Sequence, residues 1–260
     1  NTGWYVAKSY PEYHSSAEYM TLYNKGRASD GLSPLYKDEI YDFGAGDNPY
    51  RYPNVDYYSS DYIRKAYNRS EATAEIEGGG KRAHFYSNIN FYRVGDVFKF
   101  GEAKHNHTNR FNVRGNVDVN ISDDIKAYVN ANATFYDASS AKGDYWSTAA
   151  SMRPNYPQNA APLIPIDYIS PSATNAWALI NNANLIDGKY FLAGSQENST
   201  HIFGDIYSAG KTKYTSRQFQ FDTGIKINLA KLLKGLSFET KFAVDYATSY
   251  NTSFDNNYAV

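Results

Sequence analysis

Cysteine is absent from the 260-residue chain, which excludes a disulfide framework and any cysteine-ligated metal. No excess of either charge exists, since 26 basic and 27 acidic residues leave a formal net charge of -1. The electrostatic footprint of a nucleic-acid binder, a basic stripe or patch, is therefore missing. No long uncharged apolar run occurs, so no transmembrane helix is expected. The mean hydropathy of -0.62 suits a soluble protein. It equally suits a membrane-spanning β-barrel, in which half of each strand faces a polar interior. Asn1-Thr2-Gly3-Trp4-Tyr5 has neither the basic start nor the apolar centre of a secretory leader. Tyr258-Ala259-Val260 carries no domain signal either, and the chain is expected to be a fragment. Against these absences stand 26 tyrosines and 14 phenylalanines, with only 2 methionines. Tyrosine suits a surface that is apolar along the ring and wet at its tip. Such surfaces occur at membrane interfaces, in sugar- or peptide-binding sites and in tyrosine-rich soluble β-proteins.

The dominant pattern is alternation at period two, the signature of half-buried strands. Over 110–121, Phe111, Val113, Gly115, Val117, Val119 and Ile121 alternate with Arg110, Asn112, Arg114, Asn116, Asp118 and Asn120. After Ser122-Asp123-Asp124 the pattern resumes, with Ile125, Ala127, Val129, Ala131, Ala133 and Phe135 on one face. Lys126, Asn130, Asn132 and Thr134 take the other, together with Tyr128 and Tyr136. The two runs predict a hairpin with a tight turn. Residues 218–229 and 236–246 predict a second hairpin, and 72–79 with 83–93 a third around Gly80-Lys81-Arg82. Weaker strand candidates lie at 1–9 and 202–208.

Soluble strands average about 5–6 residues, whereas these run to about 11 or more, the length that a tilted strand needs to cross a bilayer. Short links at 80–82, 122–124 and 230–235 alternate with long stretches at 94–109 and 137–213, as in outer-membrane barrels. The expected fold is all-β, a transmembrane antiparallel barrel with long extracellular loops. Residues 1–71 would be a strand end and a long loop, 72–136 two barrel hairpins, 137–213 a second loop region and 214–260 a further hairpin. The apolar face would meet lipid. Arg110, Arg114, Asn116, Asp118 and Lys126 would line the lumen, and Tyr92, Phe135, Tyr136 and Tyr250 would sit in aromatic girdles at the interfaces. A soluble sandwich alternates as well and stays open.

In the first loop, 16–25 predicts a helix with Ser16 as N-cap and Gly26 as stop. Asp42, Asp47 and Asn48 beside Gly44 and Gly46 show only part of a calcium-ligand set, and a plain turn is the simpler expectation. In the second loop, Tyr145, Trp146, Tyr156, Trp177 and Tyr190 are candidates for ligand or partner contact, or for the loop's own small core. Asp187-Gly188 predicts a turn. His105 and His107 have no nearby third metal ligand, and Gly78-Gly79-Gly80-Lys81 lacks phosphate-loop spacing. No nucleophile–base pair, metal set or cofactor motif stands out, so neither an enzyme nor a cofactor is expected.

Three stretches resemble the SusC/RagA family of TonB-dependent outer-membrane transporters. Tyr52-Pro53-Asn54-Val55-Asp56-Tyr57 is similar to its Tyr/Trp-Pro-Asn-x-Asp-Trp segment, with Tyr57 where Trp is more usual. The run from Glu77 through Gly78-Gly79-Gly80-Lys81-Arg82 to Ser87 resembles its Gly-Gly turn and aromatic strand. Asn109-Arg110-Phe111-Asn112-Val113-Arg114-Gly115-Asn116 resembles its Arg-x-x-x-Arg-x-Asn strand. Fainter similarities occur at 17–24 and 151–157. The resemblance implies early strands of a 22-stranded barrel in the outer membrane of a Gram-negative bacterium. It implies TonB-energised import of glycan or peptide through a plug outside this chain, with a SusD-like surface lipoprotein as partner. A SusC-like barrel acting as a scaffold in an outer-membrane assembly, and a soluble carbohydrate-binding β-domain, are the alternatives.

Overall fold

The structure, a computed structural model, describes residues 1–152, 163–182, 185–191 and 202–256. The alternating segments pair in chain order into one antiparallel seven-stranded sheet. It begins with β1 (Thr2–Val6), β2 (Ala66–Gly79), β3 (Ala83–Gly95), β4 (His107–Asn120) and β5 (Ile125–Ala141). A separate ribbon of β6 (Ile164–Pro165) and β7 (Tyr190–Phe191) follows, after which β8 (Gly210–Asn228) and β9 (Ser237–Asp255) complete the sheet. The sheet is open, with β1 and β9 as its two edges rather than neighbours.

All three hairpins form at the predicted turns. Gly80 N–H donates to Ala83 O at 2.8 Å, and the Ser122 hydroxyl accepts from the N–H groups of Asp124 and Ile125. The Lys231 ammonium pairs with Asp124, tying two neighbouring turns together. Two strand glycines make room for a cross-strand ring. A Cβ on Gly78 would meet the Phe85 ring at 2.9 Å, and one on Gly224 the Tyr128 ring and hydroxyl at 2.6 Å.

The strands are longer than their apolar alternation suggests. β2 starts at Ala66, β5 runs on to Ala141, and β8 starts at Gly210, all inside the segments expected to be loops. Their extensions, such as Asn68-Arg69-Ser70 and Asp137-Ala138-Ser139-Ser140, are polar on both faces, so the period-two signal vanishes while the backbone ladder continues. The candidate strand at 1–9 forms β1, but 202–208 is helical. There the buried Ile206 packs into the loop core described below.

Every long connection leaves from the same end of the sheet, and the buried core lies there. The first holds α1 (Ser16–Ser29) and α2 (Glu39–Ala45); the connection from β5 to β8 holds α3 (Tyr145–Ser151), α4 (Thr174–Ile180) and α5 (Ile202–Ser208). α1 is capped by Ser15 rather than Ser16, because Glu18 completes a reciprocal capping box with Ser15. Gly26 does not stop it: the helix continues to Ser29 and ends at Asp30. One cluster gathers Tyr57, Phe98, Ala103, Tyr145, Ala149 and Ile206 from three connections, and a smaller one joins Met20, Tyr36 and Phe43.

Candidate functional site

Register gives the two faces of the sheet opposite chemistry. On one face the rungs read Phe91–Phe111–Phe135, Ile89–Val113–Ala133–Phe219–Tyr246, Phe85–Val117–Val129–Thr223–Phe242 and Ile125–Ile227–Phe238. Among the described residues nothing covers them: the exposed members run from Phe111 at 38% to Phe242 at 60%. Monomeric soluble proteins rarely leave a contiguous apolar face of this size open. Along β5 the band covers residues 125 to 135, about 34 Å at ~3.4 Å per residue. Tilted by about 45°, that is about 24 Å of depth, close to the ~25 Å apolar belt of an outer-membrane barrel. At the loop end the band stops at a charged rim. Arg217 lies 5.5 Å from the Phe135 ring centroid and pairs with Asp137 at 2.9 Å, and Asp137 also accepts from the Thr215 hydroxyl.

The opposite face is a hydrogen-bonded polar wall. Asn112 Nδ2 donates to Asn132 Oδ1 and Thr134 Oγ1, Asn132 Nδ2 to Gln220, and Asn130 Nδ2 to Asp222. Asn88 and Asn90 donate to Glu75 and Thr73 at 2.8 Å each. Arg110, Arg114, Asn116, Asp118 and Lys126 all fall on this face by register. Arg114 Nε donates to Asn116 Oδ1 at 3.3 Å, and the others are spread along the wall rather than gathered at a point.

Phe135 and Tyr250 lie on the apolar face, the side a girdle would require, whereas the expectation must be corrected for Tyr92 and Tyr136. The register puts these two on the polar face, flanking Arg110. Near the loop end they form a tyrosine–arginine lane. Arg69 and Arg110 lie 5.0 and 5.3 Å from the Tyr92 ring centroid, Arg69 Nη1 donates to the Tyr5 hydroxyl at 2.8 Å, and Tyr5 stacks on Tyr67. Tyr136 meets Tyr214 edge-on at 5.7 Å. A cavity of about 330 Å³ opens beside Tyr5, Arg69 and Glu71. This lane was not visible before folding, since only pairing brings β1, β2, β3 and β4 residues side by side.

The loop aromatics divide. Tyr145 is buried and donates to Tyr57 O at 2.8 Å, so it builds the loop core and offers no free face to a ligand. Trp146 is exposed and stacks on Tyr58. Trp177 Nε1 donates to Ser170 O, Tyr190 lies under Lys189, and Tyr156 lies outside the described residues. Burial, the main cause, raises the phenol pKa of Tyr62 to about 12 and pushes Tyr57 and Tyr145 upward as well. The 52–57 motif proves structural. Pro53 O accepts from the Ser16 hydroxyl, Asn54 Oδ1 from Ser16 N–H, Asp56 Oδ1 from Tyr58 N–H, and Tyr57 fills the core. Asn48 Oδ1 accepts from the N–H groups of Tyr50 and Arg51, the geometry of a turn. His107 Nδ1 contacts the His105 carbonyl. Asp187 and Gly188 both take positive φ, forming the predicted turn between Ile186 and Tyr190.

No protein-family model and no curated protein matches this chain.

Proposed function

We propose that the chain forms part of the wall of a transmembrane outer-membrane barrel of the SusC/RagA transporter type. In this reading it serves TonB-energised import of glycan or peptide nutrients, with a SusD-like lipoprotein over the long loops. The observation that carries the reading is the uncovered apolar face, of bilayer depth, backed by a continuous polar wall. In hydrocarbon every backbone N–H and C=O needs a partner. β1 and β9 are the unpaired edges of the described sheet. In this reading both edges pair with further strands of the large barrel that the motifs suggest. The polar face then becomes a hydrated interior that guides solute, and no bond-making chemistry is assigned to it.

The absence of cysteine makes the test clean. Single cysteines at Val113, Phe221, Asn112 and Gln220 carry a nitroxide in protein held in lipid. Relaxation by oxygen, which concentrates in hydrocarbon, is expected at 113 and 221; relaxation by a polar nickel chelate is expected at 112 and 220. The reverse pattern overturns the membrane reading. Transport itself is tested by growth on a panel of glycans and peptides. Loss of growth on one of them when TonB coupling is removed, with the barrel still inserted, supports import. Unchanged growth on all of them, with the barrel co-purifying in a large complex, supports the scaffold instead.

A further inference from the structure

We infer that the tyrosine–arginine lane at the loop end of the polar face is a subsite for an acidic saccharide, one bearing uronate carboxylates. The inference rests on the proposed reading of that face as a hydrated interior and narrows its substrate class. Arg110 is directly opposite Tyr92 on β3 and Tyr136 on β5. Arg69 reaches Tyr92 from β2, so two guanidinium groups from the strands on either side of β3 lie over one ring. Arg69 is offset by Glu71 at 3.3 Å. Arg110 has no acidic side chain within ion-pairing distance among the described residues, and the lane keeps one uncompensated positive charge. A guanidinium stacked on a ring still presents its N–H edge, the geometry that takes a carboxylate through two parallel hydrogen bonds. The same lane carries Tyr5 beside Arg69, Tyr136 directly opposite Arg110 and Tyr214 edge-on to Tyr136. The Tyr5 oxygen accepts from Arg69, so its own O–H remains to donate. Among the described residues, the aliphatic groups on this stretch of the face are Val94 and Ala138. Hydroxyls and carboxylate are what the lane recognises, and it is met first by a solute entering past the loops.

The test is titration calorimetry on the detergent-held protein with tetragalacturonate, maltotetraose and an acidic tetrapeptide. Tetragalacturonate is expected to bind at least about tenfold more tightly than either other probe, the effect of one charge-assisted contact, and to weaken with added salt. Arg110→Gln is expected to remove that margin and Arg110→Lys to remove part of it. Arg114→Gln, four residues along the same strand, is expected to leave it intact. Equal affinity for the neutral and acidic sugars, an undiminished margin in Arg110→Gln, tighter binding of the peptide or no binding of any probe each overturns the inference. If the nitroxide pattern is as expected while one of these results appears, the barrel reading survives and only the saccharide assignment fails. A reversed nitroxide pattern removes the premise of both.

Discussion

Val117→Arg probes the membrane reading directly. Val117 lies on β4 between Val129 and Phe85, near the middle of the apolar band. Six residues separate it from Phe111 and four from Ile121, about 20 and 14 Å along the strand. At a tilt of about 45° those distances become about 14 and 10 Å of depth, too far for an arginine to reach a polar edge by snorkelling alone. The expected cost is about 2–4 kcal/mol, the value for arginine at the midplane of a lipid-facing barrel wall. Val113→Arg, two residues from the Phe111 rung, should cost about 0–1 kcal/mol because its head reaches the rim. Asn116→Arg, on the polar face, should stay within about 0.5 kcal/mol. In water the first substitution would be nearly neutral, since Val117 is already 41% exposed; the penalty therefore reports hydrocarbon. The assay is reversible guanidinium unfolding of protein inserted in phospholipid bilayers. A flat profile across 113 and 117, or equal penalties at 116 and 117, refutes the assignment of faces.

Other consequences are local. Tyr145→Phe removes the hydrogen bond to the buried Tyr57 carbonyl, an expected loss of about 0.5–1.5 kcal/mol; faster hydrogen exchange in α3 with an unchanged sheet checks it. Ser15→Ala should destabilise α1 by about 0.5–2 kcal/mol through loss of its cap, read as earlier proteolysis within the first loop. Gly210→Ala should unpair the start of β8 from the end of β9, because its φ of 103° disfavours a side chain and a Cβ would meet Phe254 O; amide exchange at the β8–β9 ladder reports it. The loop core should also loosen in alkali. Tyr62 titrates at about 12 in the fold against an ordinary 10.0. The unfolded chain thus loses this proton first, and the stability is complete below pH 10 and falls as the pH rises to about 12. Tyrosinate absorbance of Tyr62→Phe against the parent locates the step; an unchanged titration near the ordinary value contradicts the burial argument.

The sequence alone determined the strand–turn rhythm and the two-faced chemistry of the strands, since period-two alternation is a local property that survives any pairing. Phe111, Val113 and Val117 against Arg110, Asn112 and Asn116 make both faces legible from the residues themselves. The polar ends of β2, β5 and β8 stayed hidden because alternation disappears where both faces are hydrophilic, although the hydrogen-bond ladder does not. The tyrosine–arginine lane, the burial of Tyr145 and the helix at Ile202–Ser208 came only from tertiary structure. Each depends on which distant segments meet: cross-strand register sets Tyr92 between Arg69 and Arg110, and loop packing decides whether an aromatic ring is buried or exposed.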